Sequence, residues 1–467
     1  MKKIFYSLFL SVLLYGSQEN TSLSLANAIE ILKSKNLEIQ MASLDVDIAQ
    51  KDVDVASGNN WGHVTFTQDI SRSNDSGNVF GFKLSSREAD FGAFGFSEFL
   101  SPLGEAIGGA AQGISPSDMS SLLKVQPENL NYPADRNYFQ TKIKYEVPLF
   151  SGFEISSYEA IMKSITKINS LDKQEVINEK IYQVKKSFYD MALLRESSKN
   201  ISIILKNLNT LENTTKQMIE VGYAKNVDLL EVQAKKGSLE RLLREIDLNR
   251  KLLYQYISFL LDEQISDIVT PAINVTMPSY DDETILQNNL DIQKATKGVE
   301  IQQNMLSVAQ ASYYPTVGAF GEIATADDTF LGSAYDHKGY TIGARVSWNL
   351  FNGGIDEAHI EKTKIQALKT SLESNLATKG IALKIIQLRT QIQTSDAEIE
   401  YLEKEFELAN EIYENYEGRY KENLSSMNDV IIKQSQQIEK ILLIQKARNQ
   451  RNERIFALEK LANGEEK

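Results

Sequence analysis

This chain contains a long internal repeat with one constant offset, which limits the folds it can adopt. The run Leu149-Phe150-Ser151-Gly152 recurs as Leu350-Phe351-Asn352-Gly353, and residues 221–229 match residues 422–430 at the same distance of 201 residues. One offset kept over about 80 positions indicates two copies of one long structural unit.

Upstream of Leu149 the offset changes. Asn36-Leu37-Glu38-Ile39 matches Asn289-Leu290-Asp291-Ile292, and Trp61 matches Tyr314, in both cases 253 residues later. The first copy therefore carries 52 extra residues, inserted between Trp61 and Leu149.

The N-terminus predicts export. Lys2 and Lys3 precede an apolar run from Ile4 to Tyr15, and small residues follow, which is typical of a secretory signal over residues 1–17. A membrane anchor is the alternative, but this run is too short to span a bilayer as a helix.

Composition excludes several classes of site and partner. The chain has no cysteine, which rules out disulfides, thiolate metal sites and a cysteine nucleophile. A formal net charge of −13 without a basic stripe argues against nucleic acid. After the signal, no run of about eighteen apolar residues follows, so helical membrane spans are not expected.

Proline placement predicts very long helices. All eight prolines lie outside residues 149–270 and 316–467, and proline disrupts helix interiors. Inside these stretches the apolar residues recur in steps of four and three, as in a coiled-coil seam. We expect a helix of about 65 residues in each copy, at 154–219 and 355–420. At ~1.5 Å per residue each is on the order of 100 Å long.

A tight turn is expected to reverse the chain after each long helix and to start a second helix that runs back along it. Gly222 and its counterpart Asn423 suit the left-handed position after a helix end. Asn226, and Ser425 or Ser426, suit the start of the returning helices at 226–261 and 427–462. Shorter amphipathic helices at 24–57 and 283–312 are expected to stack end to end with the returning helices.

Alternating segments predict four strands. They lie near 63–70, 139–147, 316–324 and 340–348, with apolar residues on one face and aromatic residues near their ends. Such strands are typical of outer-membrane barrels, although a half-buried strand of a soluble sandwich gives the same pattern. If the strands lie in a membrane, four per chain cannot close a barrel, and oligomerisation is required. Three chains would supply twelve strands.

These segments define the expected domains. The first structural repeat covers 18–262, with a long extracellular loop at 73–137 and a helix hairpin at 154–261. A linker or equatorial segment follows at 263–282. The second repeat covers 283–467, with a helix hairpin at 355–462. Whether the inserted loop is partly ordered against the barrel is left open by the sequence.

The order of these motifs resembles a known family. Duplicated units of two strands and long helices, the Tyr314-Pro315 start of a strand, the Leu-Phe-x-Gly passage from strand to helix, and Arg419-Tyr420-x-x-Asn423-Leu424 before Asp429-Val430 look like the TolC-like outer-membrane factors, the outer membrane efflux protein family. The resemblance covers nearly the whole mature chain.

This resemblance implies a fold and a function. The fold is mostly α with membrane β: a homotrimer with a 12-stranded outer-membrane barrel that continues into a periplasmic α-helical tunnel. The function is that of a passive exit duct of a tripartite efflux or type I secretion system in a Gram-negative outer membrane. The implied partners are outer-membrane lipid, a periplasmic adaptor (membrane fusion) protein and an inner-membrane transporter of RND or ABC type. The cargo, whether drug, metal or protein, stays open.

Two positions depart from the family pattern at the periplasmic entrance. The family commonly has two acidic residues three apart on the second-copy returning helix, and here Asp429 matches the first while Ile432 occupies the second. Ser425 stands where a basic residue is often found. The usual closing contacts are therefore in question.

Candidate functional residues lie at the two hairpin turns. Asp429, with Asp228 and Glu231 as first-copy neighbours, is expected at the periplasmic aperture, where three chains would form an acidic ring. A helix-capping role for Asp228 and Asp429 is the alternative, compatible with the first. The exposed turns, which in the family meet the adaptor, comprise Val221, Gly222, Tyr223, Glu422, Asn423 and Leu424; simple helix termination is again the alternative.

Catalysis is not expected. The three histidines, His63, His337 and His359, are scattered without ligand spacing, so no metal site is predicted. Nucleotide-binding and nucleophile motifs are missing from the sequence, and no catalytic residue or cofactor is expected. A periplasmic coiled-coil adaptor or scaffold is the competing function, because it shares long paired helices but does not need duplicated strands.

Overall fold

The computed structural model of this chain describes residues 22–108 and 115–463. The predicted signal peptide, residues 1–17, and part of the insertion, residues 109–114, lie outside the described residues. Within the described ranges, no helix combines the length and apolar character needed to cross a bilayer.

The first copy contains eight helices and two strands among its described residues. In chain order they are α1 (Leu25–Lys35), α2 (Leu37–Gly58), β1 (His63–Ser73), α3 (Ser76–Ser85), α4 (Phe96–Gly108), α5 (Pro116–Leu122), α6 (Glu128–Asn131), β2 (Arg136–Phe150), α7 (Glu154–Glu220) and α8 (Asn226–Leu261).

The second copy repeats this order without the four short helices. It consists of α9 (Asp282–Asn288), α10 (Leu290–Gln310), β3 (Thr316–Asp327), β4 (Lys338–Ser347), α11 (Ile355–Lys421) and α12 (Met427–Leu461). The two long helices each have 67 residues, close to the predicted 65. All four predicted strands are present, with boundaries within three residues of those expected from the alternation.

The four strands form one antiparallel sheet in the order β1-β2-β3-β4. One register row joins Phe66, Ile143, Ile323 and Tyr340 across all four strands. Each of these side chains is at least half exposed. Side chains alternate between faces along a strand, so one face of the sheet is apolar and exposed. In this sheet β1 and β4 each pair on one side only, so a single chain leaves two open edges.

The extra residues of the first copy lie entirely in one connection. Residues 74–135, 62 in number, join β1 to β2, whereas the ten residues 328–337 join β3 to β4. The difference is the 52 residues indicated by the change of offset. The insertion is partly helical, and Phe82 of α3 stacks on Tyr138 of β2 with ring centroids 4.1 Å apart. At least this part of the insertion is therefore ordered against the sheet.

The short helices that precede the strands are broken, which corrects the prediction of one helix at 24–57 and one at 283–312. Asn36 ends α1, and the repeat-related Asn289 ends α9, both in extended conformation. Each amide donates to the end of a returning helix, Asn36 to Leu260 O at 2.8 Å and Asn289 to Leu461 O at 3.1 Å. Each side-chain oxygen also caps the following helix. The repeated asparagine therefore breaks the helix, caps the helix that follows, and bonds to the end of the returning helix.

The chain divides into two compact units, and each copy contributes to both. One unit contains residues 22–49, 164–299 and 369–463, and the other contains the remaining described residues between 50 and 368. The core of the first unit follows the predicted seam, with Val184, Phe188 and Met191 of α7 fully buried. The extended linker belongs to it as well, because Ile268 and Val275 are buried against the long helices.

Candidate functional site

The two hairpin turns share one backbone motif. In the first turn Tyr223 N–H donates to Met218 O at 2.7 Å and Gly222 N–H donates to Ile219 O at 3.0 Å, with Gly222 at φ +83°. In the second turn Leu424 N–H donates to Arg419 O at 2.8 Å. This is the pattern of a Schellman motif.

Asn423 takes the left-handed position of the second turn, at φ +61°. The sequence prediction for Gly222 and Asn423 is confirmed at both positions.

Capping differs between the returning helices. Ser426 is the N-cap of α12, and its hydroxyl accepts from Asp429 N–H at 3.2 Å while Asp429 accepts from the Ser426 N–H at 3.3 Å, a reciprocal capping box. In α8 the N-cap is Lys225 and not the predicted Asn226, which is the first helical residue. Lysine has no side-chain acceptor, so only Asp228 contributes, accepting from Lys225 N–H at 2.8 Å.

The predicted aperture carboxylates have different surroundings. The pKa of Asp429 lies below its ordinary value, mainly because the Ser426 hydroxyl and N–H donate to its carboxylate. One carboxylate oxygen of Glu231 is buried, and it has no hydrogen-bond partner in the part of the chain that the structure describes. Ile432 is 44% exposed, so the departure from an acidic residue leaves an apolar side chain at the surface.

The turn residues expected to meet an adaptor are exposed. Val221, Tyr223 and Leu424 are each about two-thirds exposed, at 66%, 69% and 67%, and Gly222, Glu422 and Asn423 are exposed too. Directly behind them, Met427 and Val430 are buried in the core of the hairpins. Each turn therefore exposes apolar side chains next to residues that are packed in the hairpin core.

The first hairpin contains a polar network that the sequence patterns do not predict. Glu212 of α7 accepts from Gln233 of α8 at 3.2 Å and forms ion pairs with Lys216 at 2.9 Å and Lys236 at 3.2 Å. These contacts lower the pKa of Glu212 to about 2, with the Lys216 hydrogen bond as the largest cause. The network joins the two helices of the hairpin.

At the equivalent positions, the second hairpin keeps one contact between its helices, from Gln437 Nε2 of α12 to Asn410 of α11 at 2.5 Å, and buries several polar atoms that lack partners among the described residues. At the offset of 201, Tyr413, Gln434 and Gln437 stand for Glu212, Gln233 and Lys236. The Tyr413 hydroxyl, both amide atoms of Gln434 and the Gln437 side-chain oxygen are buried without a partner among the described residues. Aligning the two copies at this offset would have revealed the substitutions, though not the burial.

Residues 283–464 match the family model "Outer membrane efflux protein". The chain is 21% identical over 253 residues to nodulation protein T of Rhizobium leguminosarum bv. trifolii, covering 51% of this chain and 53% of that protein. The match thus spans about half the length of this curated relative.

Solved structures match over much more of the chain. The outer membrane protein VceC of Vibrio cholerae aligns with a TM-score of 0.74 at 15% identity, covering 94% of this chain and 96% of VceC. The outer membrane channel CmeC of Campylobacter jejuni aligns with a TM-score of 0.72 at 13% identity, covering 99% and 93%. The MtrE outer membrane channel of Neisseria gonorrhoeae, in its open state, aligns with a TM-score of 0.71 at 14% identity, covering 94% and 89%. Residues 283–464 therefore match the model of the outer membrane efflux protein family, and the whole chain shares the fold of these outer-membrane proteins.

Proposed function

We propose that this chain is the outer-membrane exit duct of a tripartite efflux or type I secretion system. It is a passive conduit from the periplasm to the exterior. An inner-membrane transporter, working through a periplasmic adaptor, supplies the energy and selects the cargo. The proposal rests on the fold shared with outer-membrane channels and on the family match of residues 283–464.

The four-stranded sheet is the strongest support for an outer-membrane duct. Its exposed apolar face suits lipid contact, with Phe66, Ile143, Ile323 and Tyr340 in one row. Its two open edges leave unpaired backbone groups, which lipid does not tolerate. A homotrimer removes both edges by pairing β4 of one chain with β1 of the next, and closes a barrel of twelve strands.

The same sheet argues against a periplasmic adaptor or scaffold. Such a protein needs long paired helices but not a sheet with an exposed apolar face. In water this face would be a large exposed apolar patch, which soluble proteins avoid.

Three measurements test this function: cell fractionation, native mass spectrometry of the purified protein in detergent, and conductance in planar bilayers. We expect a trimer by native mass spectrometry, fractionation with the outer membrane, and stable conductance steps after reconstitution. A monomer in the periplasmic fraction that gives no conductance would favour the adaptor or scaffold instead.

A further inference from the structure

Three side chains able to bind a metal meet at one end of the sheet. Glu88 follows α3 in the first-copy insertion, Asp327 is the last residue of β3, and His337 precedes β4. One ligand atom from each lies within 4.8 Å of the other two. Glu88 is more than 200 residues from the others in the sequence, so only the fold brings the three together.

Asp327 is fixed in place by the turn that follows it. Its side chain is buried, and its carboxylate accepts from the N–H groups of Asp328 at 2.7 Å, Ser333 at 2.5 Å and Thr329 at 3.5 Å. A carboxylate offers about four acceptor positions. Asp327 can therefore keep these bonds and still bind a cation.

His337 brings a buried ring nitrogen close to Asp327. Its Nδ1 is 3.3 Å from Asp327 Oδ2, yet this nitrogen has no hydrogen-bond partner among the described residues. An unpaired buried polar atom is costly. Two ligands bound to one tetrahedral zinc at about 2.0–2.1 Å have their donor atoms about 3.3 Å apart. A shared cation therefore accounts for both the separation and the missing hydrogen bond.

The turn at the end of α3 brings Glu88 close to Asp327 and His337. Arg87 is left-handed, at φ +57°, and Glu88 N–H donates to Lys83 O at 2.9 Å, which turns the chain back. The Ser86 hydroxyl, at 2.9 Å, and the Arg136 guanidinium both donate to Glu88 Oε2. Both donors contact Oε2, so Oε1 is available to coordinate a metal.

We propose that Glu88, Asp327 and His337 form a binding site for a divalent first-row transition-metal cation, with Zn²⁺ as the reference ion. Two carboxylates and one imidazole provide three ligands, and water completes the shell. The imidazole disfavours Mg²⁺ and Ca²⁺, which take oxygen ligands. The bound cation ties the first-copy insertion to the second-copy turn at 328–337. This inference depends on the fold and not on the proposed transport function.

Zinc binding to the full-length protein, first stripped with a chelator, tests the site by calorimetry. We expect one Zn²⁺ site per chain, and affinity at least about tenfold lower in His337→Gln and in Glu88→Gln, since each loses one of three ligands. His63→Gln is the matched control, because His63 is exposed and 3.4 Å from Glu146 in a different pair. Its affinity is expected to equal that of the wild type, and Mg²⁺ is expected not to compete.

Limited proteolysis gives a second measurement. Zn²⁺ is expected to slow cleavage within residues 73–137 of the wild type and of His63→Gln, but not of His337→Gln. Equal zinc affinity in His337→Gln and wild type would overturn the proposal. So would loss of binding in His63→Gln alone. Protection of the insertion by acidification without any zinc binding would instead assign His337 and Asp327 as a simple ion pair.

Discussion

Asp429 combines a helix cap with a lasting negative charge at the second hairpin turn. The capping box holds its carboxylate against Ser426, and the lowered pKa keeps it ionised. The charge is therefore present above the ordinary carboxyl pKa and is lost only as pH falls through the lowered value. We propose that in a homotrimer three such carboxylates face one passage at the periplasmic aperture.

We expect Asp429→Asn to reduce cation selectivity, measured as the reversal potential of single channels in a salt gradient. The amide oxygen of asparagine still accepts the cap hydrogen bond, so the change removes charge and preserves the turn. Asp228→Asn is the matched first-copy variant. An unchanged reversal potential in Asp429→Asn would leave capping as the only role of this residue.

The two helix hairpins share one turn motif, but the polar side chains between their helices differ. The first hairpin is joined by Glu212 with Lys216, Gln233 and Lys236. The second is joined by Gln437 with Asn410 and by Lys440 with Glu405, but it also buries the Tyr413 hydroxyl and the Gln434 amide without partners in the part of the chain that the structure describes. Buried polar atoms in such a seam favour bound water. The two hairpins therefore share a turn motif, and substitutions between the copies change which polar groups meet between their helices.

We expect Glu212→Gln to destabilise the protein by about 1–2 kcal/mol at neutral pH, because charged hydrogen bonds between α7 and α8 are lost. The pKa of Glu212 is lowered on folding from 4.5 to about 2. Its contribution is therefore complete above pH 4.5 and disappears as pH falls towards 2. Denaturant unfolding at several pH values measures both effects.

The matched control for this experiment is Glu245→Gln, since Glu245 is exposed on α8, the other helix of the same hairpin. We expect this variant to unfold like the wild type. If Glu212→Gln also matched the wild type at pH 7, the network would not stabilise the hairpin.

For the whole molecule, the hairpin turns are the surfaces that we propose for adaptor docking. Tyr223 and Leu424 are exposed at the two turns of one chain, so a trimer would present six such turns. The chain has no cysteine, and single-cysteine variants can therefore be labelled at one position.

We expect Tyr223→Cys and Leu424→Cys, carrying a crosslinker, to capture the purified periplasmic adaptor in a specific adduct. Leu408→Cys is the control, because Leu408 is 58% exposed on α11 outside the turns. Mass spectrometry of the adducts identifies the joined residues. Capture from Leu408 alone would place docking on the helix sides.

Much of this architecture is already readable in the sequence. The repeat, the proline-free stretches and the alternating segments predicted the long helices and all four strands, because these patterns depend on local periodicity. Gly222 and Asn423 were recognised for the same reason, since a left-handed turn residue is a local requirement.

Other features depend on contacts between distant segments. Asn36 and Asn289 look like ordinary helical positions until their amides meet Leu260 and Leu461. The capping of α8 at Lys225 was also missed, because Asn226 has the better side chain for a cap.

Local sequence patterns are enough to predict the duplicated order of strands and helix hairpins and the left-handed residues Gly222 and Asn423 at the turns. The folded chain was needed to find the helix breaks at Asn36 and Asn289, the packing of the insertion on the sheet, and the proximity of Glu88 to Asp327 and His337. Periodicity and turn chemistry act within a few residues, whereas burial and polar pairing depend on which distant segments come into contact.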